Sequence, residues 1–133
     1  MISATYTAGP AGADESISAE LSHDDVTISL HASMATGVPF AAPFHAQGTR
    51  GSVQVDNLVL PHRGHSVTAV LDGVSRTYTI GGAETYDYQL DAVVHALTTN
   101  TPADTEGRDY VATMAVIDAI YLASGIPSRK GTS

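Results

Sequence analysis

Cysteine is absent from the 133 residues, and lysine occurs once, at Lys130. The lack of cysteine excludes a disulfide framework and fits a cytoplasmic protein. Basic residues are scarce altogether: 6 Lys and Arg stand against 14 Asp and Glu, a formal charge of -8. That balance repels nucleic acid and anionic membranes, and no basic stripe offsets it, so neither is an expected partner. No apolar run is long enough to span a bilayer. The opening Met1-Ile2-Ser3-Ala4-Thr5-Tyr6 lacks the charged region and apolar core of a signal peptide. No G-x-G-x-x-G run and no phosphate loop occurs. Internal repeats and long linkers are also missing, and the length suits one domain.

What is present is clearest in the last third. Tyr86, Leu90, Val93, Val94 and Leu97 recur at three- and four-residue steps, which predicts a helix with one apolar stripe. Asn100-Thr101-Pro102 ends it. Asp104 or Thr105 then caps a second helix, with Glu106 and Asp109 in the first turn, where the helix dipole favours negative charge. Tyr110, Met114, Ile117 and Tyr121 form its stripe, flanked by Val111, Ala115 and Leu122. Gly125 and Pro127 are the stop. Both stripes read as core.

Upstream the period changes to two. Ile17, Ala19 and Leu21 alternate with Ser16, Ser18 and Glu20, and Val26, Ile28, Leu30, Ala32 and Met34 alternate with Thr27, Ser29, His31 and Ser33. His23-Asp24-Asp25 between these runs predicts a hairpin. Asp72-Gly73 predicts another, of type I′, between a strand ending at Leu71 and one starting at Val74. Val53 and Val55 mark a further strand, with Pro39, Pro43 and residues 48–51 punctuating the approach. Strands first and helices last give an α+β fold: an open antiparallel sheet with two C-terminal helices packed on one face. Residues 1–127 read as a single α+β domain and 128–133 as a loose tail.

The polar positions of the strands carry hydroxyls and histidine rather than Lys and Glu: Thr27, Ser29, His31, Ser33, Ser66, Thr68, Ser75, Thr77 and Thr79. Short hydroxyls suit a face that meets a second copy of the chain, where they bond without burying charge. Strand-favouring threonines on a solvated face give the same pattern. His62-x-x-His65 has a spacing found in metal sites, and His23 adjoins Asp24 and Asp25. Zinc takes three or four ligands, however, and both pairs sit in turn-like segments, so no metal is expected.

Several segments together resemble the carboxy-terminal end of the Gfo/Idh/MocA oxidoreductases. They are Tyr86-Asp87-Tyr88-Gln89-Leu90, Thr105-Glu106-Gly107-Arg108-Asp109, Met114 to Tyr121 and Ser124-Gly125-Ile126-Pro127-Ser128-Arg129. Gly48 to Asn57, Leu60-Pro61-His62-Arg63-Gly64-His65 and Asp14 to Leu21 resemble the sheet region of that family. The resemblance implies an NAD(P)-dependent enzyme of sugars or polyols, in which hydride moves between substrate carbon and nicotinamide with a lysine as acid-base. It also implies oligomerisation through the sheet face. The family's Rossmann fingerprint and its Glu-Lys-Pro motif are both missing, since Lys130 follows Arg129 and precedes Gly131. No cofactor is therefore expected on this chain itself, although intact members of the family use NAD or NADP.

Asp91-x-x-x-His95 imitates the family's catalytic Asp-x-x-x-His pair, but it falls in the segment that resembles a later helix. An exposed contact between positions i and i+4 is the expectation there. No catalytic residue is assigned. Tyr86 is the candidate substrate-binding residue, because in the resembling enzymes this position leads into a helix near the substrate cleft; otherwise it simply opens the apolar stripe. Two functions fit. One is the substrate-cleft and oligomerisation domain of such an oxidoreductase, with a Rossmann domain supplied by sequence outside these residues. The alternative is a stand-alone, non-enzymatic dimerisation or small-ligand-binding module derived from that family.

Overall fold

The computed structural model describes residues 1–103, Thr105 and residues 107–126. The expected tail at 128–133 lies outside the described residues, as do Asp104, Glu106 and Pro127 of the helix-boundary reading. The elements are β1 (Ile2–Ala8), β2 (Asp14–His23), β3 (Val26–Ser33), β4 (Phe44–Gly48), β5 (Gly51–Val55), β6 (Val67–Leu71), β7 (Val74–Tyr78), α1 (Thr85–Thr99) and α2 (Gly107–Ser124). Short 3-10 turns lie at Pro10–Gly12 and Pro61–Arg63. The fold is α+β. It divides into two compact units, one holding Met1–Val38 with α2 and the other holding Pro39–Ala103.

In the first unit the strands form an antiparallel sheet in the order β1-β2-β3. Register places Ala4, Ala19 and Leu30 side by side, with Tyr6, Ile17 and Ala32 one step along and Ile2, Leu21 and Ile28 one step back. Period-two geometry puts all of these on one face. The opposite face carries Thr5, Ser18 and His31 in one row and Ser3, Glu20 and Ser29 in the next. The expected β2–β3 hairpin is present, with Asp24 at φ 49° in its turn. α2 packs against β1. Its inward positions are Ile117, Ile120, Tyr121 and Ser124, one helical stripe. Ile120 and Ala19 are buried, at 6% and 7% exposure. The Tyr121 hydroxyl donates to the Asp14 carboxylate at 3.2 Å, which ties the helix to the start of β2.

The second unit is a four-stranded antiparallel meander, β4-β5-β6-β7. Asp72 and Gly73 have φ of 47° and 81°, the two positive values that a type I′ turn needs. Gly51 is required for a different reason: a Cβ there would collide with the Val70 carbonyl of β6. Phe44, Val55, Val67 and Tyr78 form one row of an apolar face. α1 follows and ends at Asn100, which adopts the left-handed conformation at φ 52°, ψ 38°.

Two expectations of arrangement change. The strands make two sheets rather than one open sheet. Pro39 and Pro43 lie in the segment between β3 and β4, where Ala42 forms an isolated parallel bridge to Asn57. The two helices belong to different units. α2 lies on β1, whereas α1 makes no broad contact with a strand of its own unit. The stripe expected to be core on α1 is exposed, from Val93 at 48% to Leu97 at 77%. On α2 the inward stripe runs through Ile117 and Tyr121 as expected, but Tyr110 and Met114 are outside it and exposed.

Candidate functional site

The segment that leads into α1 is built by the loop before β6. Asn57 organises that loop: its Nδ2 donates to the Leu60 carbonyl at 2.8 Å and the Gly64 carbonyl at 3.3 Å, and its Oδ1 accepts from the Leu60 amide at 3.0 Å. Asp56, just before it, accepts from Gln54 at 3.3 Å and from the Ser66 hydroxyl. One side chain thus satisfies three backbone groups, as short amides do in turns.

The strap from Thr79 to Glu84 runs from β7 into α1. The Ile80 amide donates to His65 Nε2 at 3.3 Å, and the Thr85 hydroxyl donates to the Val59 carbonyl at 3.2 Å. The Ala83 amide donates to the Tyr88 hydroxyl at 3.0 Å, with the Tyr88 ring lying where a Gly82 side chain would be. The Glu84 amide donates to Asp87 at 3.1 Å, satisfying a donor just ahead of the first helical turn. Tyr86 follows directly on α1 and is 70% exposed. Its phenol is a donor and acceptor carried on a well-anchored first turn.

The other candidates separate. His62 is exposed. His65 Nδ1 meets the Pro61 carbonyl at 3.0 Å and its Nε2 is taken by Ile80, so neither ring nitrogen is free to bind a metal. No cluster of three or more metal-ligating side chains occurs among the described residues. His23 pairs loosely with Asp24 at 3.6 Å in open solvent. Asp91 and His95 are exposed on α1, and no ion pair joins them. They stand as neighbours at i and i+4, and exposure leaves an ion pair there little to gain.

A shallow depression of about 330 Å³ lies on the hydroxyl face of the first unit, where Ser3, Thr5, Ser18, Glu20 and Ser29 line it. Within the sheets the hydroxyls already bond across strands, Ser18 to His31 at 2.9 Å and Thr68 to Thr77 at 3.1 Å. The part played by His65 has no local signal in the sequence; that of Asn57 has one, an Asx-type residue ahead of the Pro61-to-Gly64 turn.

No protein-family model matches the chain, and no curated protein matches it. Among solved structures the fold is similar to part of the aldose-aldose oxidoreductase of Caulobacter crescentus, solved with glycerol. The TM-score is 0.79 at 18% sequence identity, over 93% of this chain. The chain spans 38% of the length of that enzyme. No helix among the described residues is long and apolar enough to cross a membrane.

Proposed function

We propose that this chain is the substrate-cleft and oligomerisation domain of an NAD(P)-dependent oxidoreductase of sugars or polyols, of the Gfo/Idh/MocA type. The observation that carries the reading is the fold likeness to an aldose-aldose oxidoreductase over nearly the whole chain. The ordered resemblance of its segments to the same family supports it independently. The residues present do not fit a nucleotide: no G-x-G-x-x-G run and no Glu-Lys-Pro motif occurs. NAD or NADP and the lysine acid-base are therefore assigned to a Rossmann domain outside these residues, and no chemical step is assigned to this chain. Its contribution is binding, with the Tyr86 hydroxyl reaching a substrate hydroxyl.

The hydroxyl face of β1–β3 is the proposed contact with a second copy. Its serines and threonines can bond across a two-fold axis while burying little charge, which is what the core of an interface tolerates. The proposed setting is the cytoplasm, in keeping with the absence of cysteine.

The test uses the native protein purified from its source with NAD and NADP in turn. Aldoses and small polyols, glycerol among them, are screened for the absorbance of reduced nicotinamide. Turnover of at least one of these is expected. The Tyr86→Phe variant is expected to raise KM roughly five- to tenfold, the loss of one hydrogen bond to substrate, with melting temperature unchanged. Absence of turnover with every sugar and polyol would overturn the reading.

A further inference from the structure

We infer that His65 is a positioning residue: held in a single ring tautomer, it latches the strap that leads into α1 and so fixes where Tyr86 stands. The chemistry leaves one arrangement. A carbonyl oxygen can only accept, so the contact of Nδ1 with the Pro61 carbonyl at 3.0 Å places the ring proton on Nδ1. In the neutral ring Nε2 is then bare, and it accepts from the Ile80 amide at 3.3 Å. The opposite tautomer would lose both bonds, because it would set a lone pair against a carbonyl and an N–H against an N–H.

The position of the latch matters. Ile80 lies two residues beyond β7, and Gly81 and Gly82 follow it, so the strap has little of its own to hold its path. The loop organised by Asn57 secures it at both ends, through His65 to Ile80 and through the Val59 carbonyl to Thr85. Tyr86 is the next residue. The line of support therefore runs from Asn57 through the loop and His65 to the strap and Tyr86. The half-buried ring is spaced four residues from one partner and fifteen from the other.

The catalytic consequence rests on the proposed role of Tyr86; the latch itself does not. Two substitutions distinguish the two ends of the ring. In His65→Gln the amide oxygen reaches the place of Nε2 and still accepts from Ile80. In His65→Asn the amide nitrogen replaces Nδ1 and still reaches Pro61, but nothing reaches Ile80. Amide exchange in the native protein is expected to be nearly unchanged in His65→Gln. In His65→Asn it is expected to be about tenfold faster across residues 80–84, the effect of losing one hydrogen bond.

Nitrogen NMR of the histidine-labelled wild type supplies a measurement that needs no variant: Nε2 unprotonated and Nδ1 protonated at neutral pH. A proton on Nε2, or equal exchange in the Gln and Asn variants, would overturn the latch. A normal latch in a protein whose Tyr86→Phe variant keeps its KM would instead sink the role of Tyr86 alone.

Discussion

Single side chains do unequal work in this protein. Asn57 makes three hydrogen bonds to its own loop, to the Leu60 and Gly64 carbonyls and from the Leu60 amide. Asn57→Ala is expected to cost about 1–3 kcal/mol, measured by urea unfolding, because three hydrogen bonds are lost at once. Ile120 is the large side chain buried between α2 and its sheet. Ile120→Ala is expected to cost about 2–4 kcal/mol in the same measurement, the usual range for truncating a buried Ile. Gly51→Ala, by contrast, adds a single methyl but drives it into the Val70 carbonyl. It is expected to speed amide exchange along β5 and β6 while leaving β1–β3 unaffected. At this scale little of the site was legible. Tyr86 was identified by resemblance alone. The double engagement of His65 joins groups fifteen residues apart, and no local pattern encodes that.

At the scale of elements the local rules carried further. The β2–β3 hairpin follows from two runs of strict alternation around Asp24-Asp25, and the β6–β7 hairpin follows from Asp72-Gly73. α1 stops where Asn100 takes the left-handed conformation. Asn100→Val is expected to destabilise α1 by about 1–2 kcal/mol, since a β-branched residue resists that conformation, whereas Asn100→Gly is expected to be close to neutral. Circular dichroism with thermal unfolding checks both. β1 and β4 were not read from the sequence. Ile2, Ala4 and Tyr6 alternate only briefly at the terminus, and β4 has Phe44 as its one large apolar residue. Both are strands because of their neighbours: β1 pairs with β2 along its whole length and β4 with β5 from Phe44 to Gly48. Such pairing is long-range information. The stripe on α1 was read correctly as a pattern but wrongly as core, because periodicity reports which face is apolar and not what covers it.

For the whole molecule the decisive quantity is surface. The chain exposes 10658 Å². Two separate compact proteins of half its mass would together expose roughly 8,000 Å². Large apolar side chains are part of that surface: Leu90, Leu97, Val111 and Leu122 are each more than 60% exposed. Under the proposed function such side chains would meet other protein. The central claim is that these residues act as one domain of a larger oxidoreductase. The most direct test is the intact mass of the native protein, captured from its source cells with an antibody against α2. The account predicts a mass two to three times 13.8 kDa, with a G-x-G-x-x-G run and a Glu-Lys-Pro motif in the added sequence. A mass of 13.8 kDa would contradict it and leave a stand-alone module that shares only the fold.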